Sequence, residues 1–161
     1  MSGLDPEQLL RYVIEPALRR LEPKIPVTRA ATQLVLGTAL HESDWLQYID
    51  QVDKAAKPGP AYGLWQMEKI TFDDHLKRLN PALEPGVFGY MSRIPSVEDL
   101  HWNLMLGAAM CRILYYHAPE ALPPADNSQA MAQFWKKRYN TPLGAGTVDK
   151  ALPCFRLACT F

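Results

Sequence analysis

The chain has 161 residues, the length of one ordinary domain, with 48% hydrophobic and 21% charged residues. That composition excludes a disordered tail, a collagen-like rod and a disulfide-stapled miniprotein. Seventeen basic residues balance seventeen acidic ones, so no excess charge draws the chain to nucleic acid or anionic lipid.

In chain order, Asp5 followed by Pro6 reads as an N-cap with proline at the first helical position. Leu9, Leu10, Val13 and Ile14 then share a face, and Pro16 kinks or ends that helix. A second helix is expected from Thr28 to about His41, burying Ala31, Leu34, Val35 and Leu40. Thr71 with Asp74, and Ser96 with Asp99, have capping-box spacing, the second ahead of the long apolar stretch from Leu100 to Tyr116. Along that stretch Leu100, Leu104, Gly107, Ala108, Cys111 and Leu114 form a stripe whose small residues admit another helix. Ser128 and Thr147 read as caps of two further helices, with Met131, Phe134 and Trp135 buried on the first. Strand signals are poor, and the segments 54–63, 80–95, 118–127 and 140–147 are rich in turn residues. The expectation is a mainly α single domain over 1–161, with loops that wall a cleft.

No apolar run approaches the roughly 20 residues a membrane span needs, so no stable membrane insertion is expected. The opening Met1-Ser2-Gly3-Leu4-Asp5-Pro6 lacks the basic and apolar regions of a signal peptide. Three scattered cysteines suggest reduced thiols and synthesis in the cytoplasm. His41, His75, His101 and His117 form no ligand pair at helical spacing, and there is no paired C-x-x-C, so neither metal nor cofactor is expected. Gly144-Ala145-Gly146 lacks the lysine of a phosphate loop, and Ser43 lacks the surroundings of a nucleophile.

Two segments carry more. His41-Glu42-Ser43-Asp44-Trp45 ends an apolar helix, where a carboxyl is partly desolvated and its pKa rises, the tuning a proton donor to an ether-type oxygen requires. Gly59-Pro60-Ala61-Tyr62-Gly63-Leu64-Trp65-Gln66-Met67 brings backbone close to something beside bulky rings and one amide. Rings cover the apolar faces of pyranoses and an amide pairs with hydroxyl or acetamido groups, so Tyr62, Trp65 and Gln66 are candidate sugar contacts. Each segment alone also fits a bland reading, a solvated glutamate and a buried turn.

Taken together, the Glu42-Ser43 pair at a helix end and the Gly63-Leu64-Trp65-Gln66 segment about twenty residues later resemble the lytic transglycosylase family, which has the goose-type lysozyme fold. The likeness continues through Asn103, Gly107 and Ile113-Leu114-Tyr115, then Ala130-Met131-Ala132 through Tyr139-Asn140. It covers 26–146, flanked by an N-terminal helical segment, 1–25, and a C-terminal helix or tail, 147–161. Two features depart from the pattern. The loop after Tyr139-Asn140 is longer (Thr141-Pro142-Leu143-Gly144), and Trp65 stands where methionine is common. The wording around Gly59–Met67 looks most like phage-encoded members.

The resemblance implies a lysozyme-like helical domain with a substrate cleft. It also implies cleavage of peptidoglycan glycan strands between N-acetylmuramic acid and N-acetylglucosamine, with Glu42 as the single acid/base and a 1,6-anhydro product. By the same resemblance Gln66, Tyr139 and Asn140 hold sugar near Glu42, Ser43 orients Glu42 or touches substrate, and Asn103 lies on a helix by the cleft. Asn103 equally fits an amide that braces backbone. Asp44, Asp50, Asp53 or Glu68 acting on a water would make the enzyme a hydrolytic lysozyme instead. A virion structural protein that kept the fold without the chemistry is the reading from another class, and a noncatalytic binding module a third. The expected setting is a phage-infected bacterium, with action on the cell wall and phage virion or tail proteins as partners.

Overall fold

The computed structural model describes residues 3–52 and 58–161 and is mainly helical, with one small antiparallel sheet. Asp5 caps the first helix, its Oδ1 accepting from Gln8 N at 2.9 Å. Helix α1 (Pro6–Leu9) runs through a π-turn at Leu10–Ile14 into α2 (Glu15–Arg19). Pro16 therefore neither ends the helix nor stands in a regular one. The wider turn just before it takes up the carbonyl its ring would otherwise strike.

Helix α3 (Arg29–Glu42) starts at Thr28, whose hydroxyl accepts from Ala31 N at 3.1 Å, as the sequence predicts. Residues 31–40 are buried on every side, so α3 is a central helix rather than an amphipathic one. It packs on α8 (Val148–Ala158), α6 (Leu104–Tyr116) and α7 (Ser128–Trp135). Gly37 lets the Phe155 ring of α8 lie against its backbone.

The strands β1 (Asp50–Val52), β2 (Pro58–Tyr62) and β3 (Met67–Glu68) pair antiparallel in the order β1-β2-β3, with Asp50 opposite Tyr62 and Ala61 opposite Glu68. The sequence signals gave no hint of this sheet, and it occupies part of the segment read as irregular. Helix α4 (Lys69–Lys77) follows β3 directly, with Glu68 as an N-cap that makes no side-chain bond. Thr71 and Asp74 thus lie inside the helix, and their expected capping box does not form. A 3₁₀ turn at Pro81–Leu83 and the short α5 (Glu84–Phe88) lead on to the next capping site.

Ser96 and Asp99 do form a capping box, but it opens a 3₁₀ turn, Val97–His101. The long helix, α6, begins only at Leu104, where Asn103 Oδ1 accepts from Leu106 N at 3.0 Å. Gly107 faces the Trp65 indole, not another helix: a Cβ there would lie 2.7 Å from Trp65 Cε3. Asn127 caps α7 in place of Ser128, which is its first residue, and Thr147 caps α8 as predicted. Trp102 is 62% exposed because the chain leaves the 3₁₀ turn there, while Trp135 is fully buried, as the sequence predicts. No described helix is long and apolar enough to cross a membrane.

Candidate active site

Glu42 is the last residue of α3, and the chain turns sharply after it. Asp44, Trp45 and Leu46 are all left-handed, with φ of 47°, 62° and 63°. Trp45 N donates to Leu40 O at 2.7 Å and Asp44 N to His41 O at 3.4 Å, the Schellman pattern that satisfies the last helical carbonyls. Ser43 stabilises the turn from inside. Its hydroxyl donates to Ala39 O at 2.6 Å and accepts from Leu46 N at 3.1 Å, and the residue is fully buried. The expectation that Ser43 touches substrate is therefore corrected, because both capacities of its hydroxyl are engaged by backbone.

This turn sets Glu42 at the wall of a pocket of about 640 Å³, within the range of small-molecule sites. Gln66, Glu68, Thr71, Tyr139, Asn140 and Gly146 are also part of the wall. Burial of the Glu42 carboxyl raises its pKa to about 7, opposed by one hydrogen bond: Trp135 Nε1 donates to Oε1 at 2.8 Å. Around the carboxyl lie Cys111, Tyr115 and Tyr139, which burial keeps protonated and whose ionisation the Glu42 charge opposes further. Tyr115 Oη and Thr38 Oγ1 are 2.8 Å apart beneath them. At neutral pH such a carboxyl is present in both forms, so it can give a proton and take one back.

The structure brings Gln66, Tyr139 and Asn140 to the same wall as Glu42. Gln66 sits at φ 46° in a turn after Gly63, with its Nε2 donating to Gly63 O at 2.7 Å, so its Oε1 stays available to the pocket. Only glycine fits at position 63, where φ is 73° and a Cβ would lie 2.6 Å from Leu100 O. Tyr139 donates to Trp65 O at 2.6 Å rather than to Glu42, with its ring 5.6 Å from that of Tyr115. Asn140 Oδ1 accepts from Lys136 Nζ at 2.7 Å, and the same ammonium donates to Gly144 O at 2.7 Å. The long loop after Asn140 is thereby folded back on it. Thr141 takes φ 66° and ψ 160°, a region that is nearly glycine-only.

Three further candidates stand elsewhere. Trp65 is 2% exposed, with its Nε1 donating to Val35 O at 3.0 Å, so it is core and does not narrow the pocket. Tyr62 lies beside the His101 ring, centroids 5.0 Å apart, outside the pocket wall that its neighbours Pro60 and Ala61 form. Asn103 is occupied as the cap of α6 and does not line the pocket. Sequence reasoning placed Trp135 in the core and missed its bond to Glu42. The available signal was its position four residues before Tyr139, one helical turn along the same face.

Of the other carboxylates, Glu68 lines the pocket. Asp44 accepts from Tyr48 Oη at 2.8 Å on the surface, and Asp50 lies 3.4 Å from His101 Nε2. Asp53 lies outside the described residues. Among the described residues no group of three His, Cys, Asp or Glu is placed to hold a metal ion. No family model, no curated protein and no solved structure matches the chain.

Proposed function

We propose that this chain is a lysozyme-like peptidoglycan lytic transglycosylase with Glu42 as its only acid/base. The observation that carries the reading is a desolvated carboxyl, with a pKa of about 7, in the wall of a pocket that also presents Gln66, Tyr139 and Asn140. Glu42 gives its proton to the glycosidic oxygen as the bond to C1 of N-acetylmuramic acid breaks, releasing the 4-hydroxyl of N-acetylglucosamine. The substrate's own acetamido group supports the oxocarbenium-like centre. The Glu42 carboxylate then takes the proton from the C6 hydroxyl, whose oxygen closes on C1, giving the 1,6-anhydro end and restoring the acid. Gln66 Oε1 and the Asn140 amide supply hydrogen bonds to sugar. The resemblance to phage-encoded members supports a reaction at the bacterial wall during entry or lysis, with virion or tail proteins as partners.

Glu68 in the same pocket favours a second reading, in which its carboxylate activates a water and the product is a reducing muramic end. Mass spectrometry of muropeptides released from purified peptidoglycan separates the two. Anhydro ends support the transglycosylase, reducing ends the lysozyme, and intact glycan defeats both.

A further inference from the structure

The bond from Trp135 to Glu42 joins α7 to the end of α3 across the pocket's inner wall. Around the indole the packing is tight and polar contacts are few. His41 meets it edge-on, centroids 4.5 Å apart with planes at 77°, and Phe155 lies 6.5 Å from it. From the pocket side Gly146 closes over it, where a Cβ would stand 2.6 Å from Trp135 Cη2 and 3.0 Å from Asn140 Nδ2. Gly146 itself lines the pocket. The indole is thus held on three sides, with its N–H aimed at one carboxyl oxygen. Among the described residues no group donates to the other oxygen, Oε2.

We infer that Trp135 is the positioning residue of Glu42: its N–H turns Oε1 inward and leaves Oε2 as the oxygen that meets substrate, while Gly146 fixes where the indole lies. The inference rests on the reading of Glu42 as the acid, but the geometry makes a claim that activity is not needed to test. A donor shared with one oxygen does two things. It removes the carboxyl's rotational freedom, so the same oxygen faces the pocket in every molecule. It also stabilises the carboxylate more than the acid, restraining the rise that burial alone would cause. An acid buried without such a donor would hold its proton more tightly and give it up more slowly in the first half of the cycle. The tryptophan therefore holds Glu42 between the two protonation states the reaction alternates. The other ionisable groups close by are His41, whose own proton affinity burial lowers, the neutral Cys111, Tyr115 and Tyr139, and Glu68 in the same pocket.

The test is a pH titration by NMR on the full chain, following the Trp135 indole ¹⁵N–¹H resonance and the ¹³C-labelled Glu42 carboxyl. In the wild type both should move with one midpoint near pH 7, and in Glu42→Gln the indole should lose that step, keeping only whatever movement the adjoining His41 ring gives it at lower pH. An indole resonance that does not follow the carboxyl overturns the inference. In Trp135→Phe the carboxyl midpoint should rise by about one pH unit, the size expected for loss of a hydrogen bond to a charged group. The alkaline limb of glycan cleavage should rise with it, and kcat should fall with KM little changed. An unmoved midpoint in a folded Trp135→Phe protein also overturns the inference. Gly146→Ala keeps the indole but displaces it, and should weaken the shared titration; an unaltered one contradicts the part given to Gly146. Shared titration in a wild-type protein that cleaves no glycan would support the pairing while removing the proposed reaction.

Discussion

Replacing Glu42 by glutamine should stabilise the protein, and by an amount that depends on pH in a way only a buried carboxyl produces. The amide keeps the shape and still offers Trp135 an oxygen, so the comparison isolates ionisation. Folding raises the Glu42 pKa from 4.5 to about 7. The folded state therefore holds the proton more tightly than the unfolded chain, and the wild type loses stability as pH rises between those values. Two and a half units at about 1.36 kcal/mol each give roughly 3 kcal/mol, fully developed above pH 7 and absent below pH 4.5. At about 2–4 °C per kcal/mol for a chain of this size, Glu42→Gln should melt some 6–12 °C above the wild type at pH 8. At pH 4 the two should melt together. Calorimetric scans of both proteins at pH 4, 5.5, 7 and 8 read the difference directly. A gap of the same size at pH 4 and pH 8 would refute the desolvation argument, with or without any catalysis.

The same Glu42→Gln protein should clear cell-wall suspensions at least about a hundredfold more slowly than wild type, and equal clearing removes Glu42 from the mechanism. Thr141→Gly should raise the melting temperature, because a β-branched residue at φ 66° and ψ 160° carries about 1–3 kcal/mol of strain that glycine does not; a fall in stability would show that its side chain is needed there. His75 and His117 stack with their Nδ1 atoms 2.7 Å apart, and burial with the neighbouring His117 and Arg78 holds His75 down to about 4. The unfolded chain takes up protons first, so stability should fall as pH drops from about 6.5 towards 4, and His75→Gln should flatten that acid-side loss in thermal melts.

What could be read beforehand followed from short-range chemistry. Asp5, Thr28 and Thr147 cap the helices their hydroxyl or carboxylate oxygens suit, and Glu42 was marked by its place at the end of an apolar run. Ser96 and Asp99 show the limit. The pair has the right spacing and makes the right bonds, yet Asn103 competes as a cap and takes the long helix, leaving the box a 3₁₀ turn. The sheet was hidden because β2 is Pro58-Gly59-Pro60-Ala61-Tyr62, without the β-branched run that marks a strand; its pairing with β3 follows from the turn at Gly63. At the site the errors share one cause. Ser43 and Trp65 each carry a polar atom that looks free in the sequence and is taken by backbone in the fold, while at Asn103 the backbone-bracing alternative is the one the fold uses. Trp135 is the converse: an apolar stripe accounts for its ring and conceals its N–H.

The knot of left-handed residues behind Ser43 has a practical corollary for anyone varying this chain. The last turn of α3 is fastened at Ala39 and again at Leu46, so main chain sets where Glu42 leaves the helix, and Trp135 has only to turn a carboxyl that already stands in place. Under the proposed reaction, damage at Ser43 should then register as misdirection: glycan still seated with near-normal affinity, but met by an acid looking the wrong way.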